Sequence, residues 1–139
     1  PCRCRGRLIA DGQRVLWVGF HEKLPCLVAY GQDQYDRLNG EIERDRETAR
    51  LRNLDFDEDA EFKKRFSYTE PYTLDDSGRF LPSFIHRDRV GDAGATAFVG
   101  SGRRLEIWWL PTLAECADAD PVLQRLAASW DATKGKGRK

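Results

Sequence analysis

The stretch Asp75-Asp76-Ser77-Gly78-Arg79-Phe80-Leu81 decides how this chain is read. It sets an acid, a glycine turn and an arginine within Asp75 to Arg79, and an apolar pair follows. Glycine adopts φ > 0 without steric cost, so the backbone turns sharply at Gly78. An arginine leaving such a turn stands at the mouth of a strand, where an acid earlier in the turn pins its guanidinium. A fixed charged fork of this kind suits a phosphate or a guanine edge. An ordinary hairpin turn with a surface ion pair has the same local composition, so the wider context has to separate the two.

That context is a repeat. Trp17-Val18-Gly19-Phe20-His21-Glu22-Lys23-Leu24 matches Phe98-Val99-Gly100-Ser101-Gly102-Arg103-Arg104-Leu105. The shared pattern is aromatic, Val, Gly, polar turn, basic, Leu. Each copy leads into a second apolar run, Pro25 to Tyr30 and Glu106 to Leu110. Each therefore reads as a β-hairpin running into helix-forming sequence.

With these residues in view, the chain resembles the MraZ family of bacterial regulators of the division and cell-wall gene cluster, within the AbrB-like DNA-binding group. Asp75, Gly78, Arg79, Leu81, Arg87, Gly91, Val99, Gly100, Glu106, Ile107 and Trp108 fall on the family pattern. The resemblance covers 15–115 and is strongest in the second half. It departs in two places. Pro82 comes earlier than the family's proline. The first half shows no D-x-x-G-R ahead of Val18-Gly19, since Gly6-Arg7 has no acid at the right spacing. A truncated or misread start is the preferred explanation, and degeneration of the first site is the alternative.

Composition narrows the classes. A chain of 139 residues is one domain or two small fused repeats, able to bury roughly two thirds of its unfolded surface. Its 23 basic and 23 acidic residues cancel, which argues against a generic basic nucleic-acid coat. Arginines crowd the start (Arg3, Arg5, Arg7, Arg14), Lys134, Lys136, Arg138 and Lys139 crowd the end, and acids gather at Asp55, Asp57, Glu58, Asp59 and Glu61. No apolar run approaches the ~20 residues of a membrane helix, and the start lacks a signal-peptide core. Cys2, Cys4, Cys26 and Cys116 are scattered without a zinc-type second pair. No P-loop, G-x-S-x-G or dinucleotide fingerprint is present, and His21 and His86 read as turn or surface residues.

Along the chain, 13–30 reads as two strands. Tyr35, Leu38, Ile42 and Ala49 mark a helix between Gly31 and Asn53. Asp55 is the expected cap of a second helix, with Glu58 reciprocal. A strand over 67–73 enters the turn, and 79–81 is the returning strand. Ser83 caps a short helix ending at Val90. A hairpin over 95–110 turns at Ser101-Gly102, with Trp108 and Trp109 on opposite faces. Asp120 and Pro121 start a last helix with a Val122, Leu126, Trp130 stripe, and a Gly/Lys-rich tail from Lys134 is expected to be disordered.

The expected fold is α+β: tandem AbrB-like swapped-hairpin repeats forming a β-barrel, with connecting and C-terminal helices. The first repeat spans 1–54, the connecting helix 55–66, the second repeat 67–116, and the C-terminal helix and tail 117–139. The resemblance implies a cytoplasmic, nucleoid-associated regulator, a repressor at direct promoter repeats, and not an enzyme. Its DNA-binding residues are then Asp75, Gly78, Arg79 and Arg87, with no metal and no cofactor. The implied partners are double-stranded DNA and further copies in a ring, without membrane or small-molecule substrate. The alternative is an oligomeric scaffold of the same fold that has lost DNA binding.

Overall fold

The computed structural model describes residues 14–91 and 95–136, with 131–136 as backbone only. Cys2, Cys4, the arginines before position 14, and Arg138 and Lys139 lie outside the described residues. In chain order the elements are β1 (Val15–Phe20), β2 (Leu27–Gly31), α1 (Gln32–Leu51), α2 (Glu58–Phe66), β3 (Glu70–Thr73), α3 (Phe84–Val90), β4 (Thr96–Ser101), β5 (Arg104–Trp109), α4 (Leu110–Glu115) and α5 (Pro121–Lys136).

Each V-G stretch lies on the first strand of an antiparallel hairpin. β1 pairs with β2 from Leu16↔Gly31 to Phe20↔Leu27, and β4 pairs with β5 from Thr96↔Trp109 to Ser101↔Arg104. The repeat does not hold through the whole matched window. Lys23-Leu24 falls in a loop, whereas Arg104-Leu105 opens β5. The first connection is longer than the second, so Gly19 faces Val28 while Gly100 faces Leu105. Gly102, at φ 63°, makes the tight second turn feasible. The two hairpins join through β2 and β5, antiparallel from Leu27↔Ile107 to Ala29↔Leu105.

The sheet has the order β3-β1-β2-β5-β4 and is not closed. The expected barrel is therefore not formed; the chain is α+β around an open antiparallel sheet. β3 and β4 are the edges. β3 has 4 residues, and one is Pro71. Proline brings no N–H to a ladder, which suits an edge strand and leaves little to close a barrel with.

Alternation along the strands splits the core between the two faces. On one, Leu16, Val18, Leu27, Ala29 and Ile107 pack with Leu74 and Val90. On the other, Cys26 and Trp108 pack with Leu110, Leu113, Ala119 and Ala127. Trp108 is 1% exposed and Trp109 half-buried, so the tandem tryptophans do point apart. Burial pushes the Cys26 thiol up to about 12, as a small apolar core residue requires.

Several local expectations shift. Asp57, not Asp55, caps α2, its Oδ1 accepting from the Ala60 N–H at 3.0 Å, the N3 position. The strand expected from 67 begins at Glu70, because Tyr68 sits at φ 52° and turns the chain first. Residues 79–81 form no strand: after the turn, Phe80 folds inward onto Tyr72 and does not extend the ladder. Asp120 does cap α5, accepting from the Val122 N–H at 2.8 Å. The Val122, Leu126, Trp130 side of that helix faces outward, because Leu123 and Ala127 supply the packing against α4. The helix continues to Lys136, so the tail expected from Lys134 begins as helix. Among the described residues no helix is long and apolar enough to cross a membrane.

Candidate nucleic-acid interface

Two apolar anchors define the Asp75–Arg79 turn. Leu74 is buried before it, and the Phe80 ring lies 5.0 Å from that of Tyr72 after it. Fixed on both sides, the residues between must reverse direction. The Asp75 N–H donates to the Arg79 carbonyl at 2.9 Å, and the Gly78 N–H donates to the Asp75 carbonyl at 2.8 Å. Gly78 takes φ 72°, the left-handed region that favours glycine.

The Asp75 carboxylate organises the rest. Its Oδ1 accepts from the N–H groups of Ser77 (2.9 Å) and Arg79 (2.8 Å), and its Oδ2 accepts from Arg79 Nε at 3.0 Å. These donors, the Arg79 backbone N–H foremost, hold the Asp75 carboxyl below its ordinary value of 3.8. The Arg79 side chain is 78% exposed. Its Nε is committed, and its Nη1 and Nη2 have no partner among the described residues. The result is a guanidinium oriented at its inner edge and open at its outer edge, the geometry a bidentate acceptor needs.

Asp75, Gly78 and Arg79 are thus brought together. Arg87 is not part of that cluster. It is exposed on α3, and no ion pair or hydrogen bond joins its side chain to the turn. Two neighbours escaped the sequence reading. Arg14 Nη1 donates to Asp76 Oδ1 at 2.9 Å, adding a cation and an acid beside the turn. Beside Tyr72, His86 is fully buried, not a turn or surface residue. Its Nδ1 lies 2.7 Å from the Tyr72 hydroxyl and its Nε2 lies 2.7 Å from the Tyr68 carbonyl. The same hydroxyl donates to Glu70 Oε2 at 2.8 Å and accepts from the Ser83 N–H at 2.9 Å. Donation from Tyr72 lowers the Glu70 pKa. This network ties α3 to β3, and so positions Arg87 relative to the turn. The signal available was spacing: His86 and Val90 sit four apart on one face of α3.

The other histidine is also enclosed. His21 lies in the first hairpin's connection, where its Nδ1 accepts from the N–H groups of Lys23 and Leu24, both at 3.0 Å. Burial, the largest influence, lowers its pKa. Arg104 closes this loop onto β5 by donating to both carboxylate oxygens of Glu22, at 3.1 and 3.2 Å. Comparison with protein-family models, with curated proteins and with solved structures gives no match for this chain.

Proposed function

We propose that the chain is a sequence-specific DNA-binding regulator of the MraZ type, a repressor acting at short direct repeats in the promoter of a division and cell-wall gene cluster. Arg79 reads a base edge or grips a phosphate, Asp75 orients it, Gly78 permits the turn, and Arg87 contacts the backbone nearby. The observation that carries this reading is the Arg79 fork, clamped through Nε and, among the described residues, open at both Nη groups. Guanine O6 and N7 present the matching acceptor pair in the major groove.

The chain has no net charge, so bulk attraction to phosphates is small. Useful affinity then comes from several turns on one homo-oligomeric particle, a ring in the family's manner, engaging successive repeats. A scaffold without DNA binding is the competing reading. It draws on Asp76, a carboxylate 90% exposed beside Arg79, which opposes a nearby phosphate. Gel-shift titration of the wild type and Arg79→Ala separates the two: only the regulator reading predicts binding that depends on Arg79.

A further inference from the structure

We propose that the cleft between α3 and the end of β1 binds a free nucleotide, with its base on aromatic rings and its phosphate on Arg89. The cleft holds about 820 Å³, within the ~300–1,000 Å³ of ligand pockets. Its lining comes from two places. Phe20 ends β1 and Tyr68 lies in the turn before β3, while Phe84, Arg87, Asp88 and Arg89 belong to α3. The two parts are pinned to each other. His86 Nε2 donates to the Tyr68 carbonyl at 2.7 Å, and the Phe20 N–H donates to the Ser67 carbonyl at 3.2 Å. Arg89 Nη2 donates to the Leu24 carbonyl at 3.3 Å. A cleft built this way exists before a ligand arrives, which lowers the ordering cost of binding.

Its rings are displayed at a cost. Phe84 is 73% exposed and Tyr68 64%. Tyr68 also sits at φ 52°, a left-handed conformation that bulky residues rarely adopt. Packing does not account for it: the ring meets that of Phe20 at 4.9 Å, yet most of it faces solvent. Backbone strain that the surrounding structure holds in place is a pointer to function. Here the strained residue presents a ring to the cleft, and a planar ligand stacked on Tyr68 or Phe84 covers that apolar surface.

Arg89 supplies the anion contact. Its guanidinium lies 4.7 Å over the Phe20 ring, and its buried Nε has no hydrogen-bond partner. Its Nη1 has no partner among the described residues either, and no ion pair neutralises the group there. A partly desolvated cation without a counter-charge attracts an anion more strongly than a solvated one does. Exposed Arg87 adds to the positive field, and exposed Asp88 accepts from N–H or O–H groups.

These features choose among anions. A bare phosphate leaves the rings uncovered. An aromatic acid without N–H or O–H donors gives Asp88 nothing to accept. A peptide strand finds no edge here, because β1 lies between β3 and β2 and the Phe20 N–H is already taken. A nucleotide brings a planar base, a phosphate, and amine or hydroxyl donors together. The anchor is Arg89, so the site does not depend on the DNA contact proposed for Arg87, and it stands whether or not the chain binds DNA.

Calorimetric titration of the full chain with the monophosphates of adenosine, guanosine, cytidine and uridine, without DNA, tests it. At least one is expected to saturate a single site per chain. Its parent nucleoside and inorganic phosphate are each expected to bind at least about tenfold more weakly, lacking the charged contact or the stacked base. Phe84→Ala is expected to melt as the wild type does, because the ring is exposed, and to bind about tenfold more weakly. Arg89→Gln is expected to bind at least about tenfold more weakly. Should Arg89→Gln lose its folded circular dichroism, Tyr68→Gly takes its place, since it relieves the positive φ while removing a ring, and is expected to weaken binding likewise. No binding by any of the four below about 1 mM overturns the proposal. So does a nucleoside or phosphate that binds as tightly as the nucleotide, or a variant that binds at wild-type strength.

Discussion

The Asp75 carboxylate grips Arg79 twice: Oδ1 accepts from the Arg79 backbone N–H at 2.8 Å while Oδ2 accepts from its Nε at 3.0 Å. One contact shapes the main chain and the other aims the side chain. An acid at this position therefore sets both where the arginine leaves the turn and which way its free edge faces.

Arg79→Ala is expected to weaken binding to a specific operator by ~1–3 kcal/mol, the worth of one bidentate base contact. Because the side chain is exposed, thermal melting stays unchanged. Arg79→Lys keeps the charge but not the planar fork, and is expected to lose most of the same affinity. Titrations with both variants check this, and unaltered affinity in either removes Arg79 as the reader.

The turn is expected to loosen in acid. The Asp75 carboxyl is held below its ordinary value of 3.8, so its contribution is complete above that value and fades as pH falls through the lower folded value. An NMR titration following the Nε–H resonance of Arg79 reads this directly. A resonance that shifts only near neutral pH contradicts the assignment.

His86→Leu is expected to destabilise the chain by ~1–3 kcal/mol, because the Tyr68 carbonyl and Tyr72 hydroxyl each lose a buried partner. Urea unfolding measures the loss. A variant as stable as the wild type means the network adds nothing to the fold.

The two V-G hairpins and the Asp75–Arg79 turn, though not the returning strand expected at 79–81, could be read from the sequence because their signals are local: alternating apolar residues, V-G, and an acid before Gly-Arg. What could not be read depended on partners distant in the chain. His86 counts as a surface residue until Tyr72 and Tyr68 are placed around it. Asp55 and Asp57 are equally good caps by type, and the choice between them follows from where α2 starts. Openness of the sheet likewise depends on how β3 and β4 end, which alternation does not encode.

Trp108→Ala is expected to cost ~3–5 kcal/mol, as aromatic truncations in a core do. The residue fills the face shared with Leu110 and Leu113, and its Nε1 donates to Glu106 at 2.9 Å. Thermal melting and sedimentation check that folding or assembly fails before DNA recognition does. A variant that keeps its melting point and mass but loses DNA makes Trp108 a contact residue instead.

The most direct test of DNA recognition is selection of the full chain against a randomised pool of double-stranded DNA, run in parallel with Arg79→Ala. The account predicts enrichment of a short element in tandem copies by the wild type. It also predicts tighter binding to several copies than to one, by ~10²–10⁴, and no enrichment by the variant. A wild-type selection that enriches nothing, or a variant that enriches the same element as strongly, contradicts it.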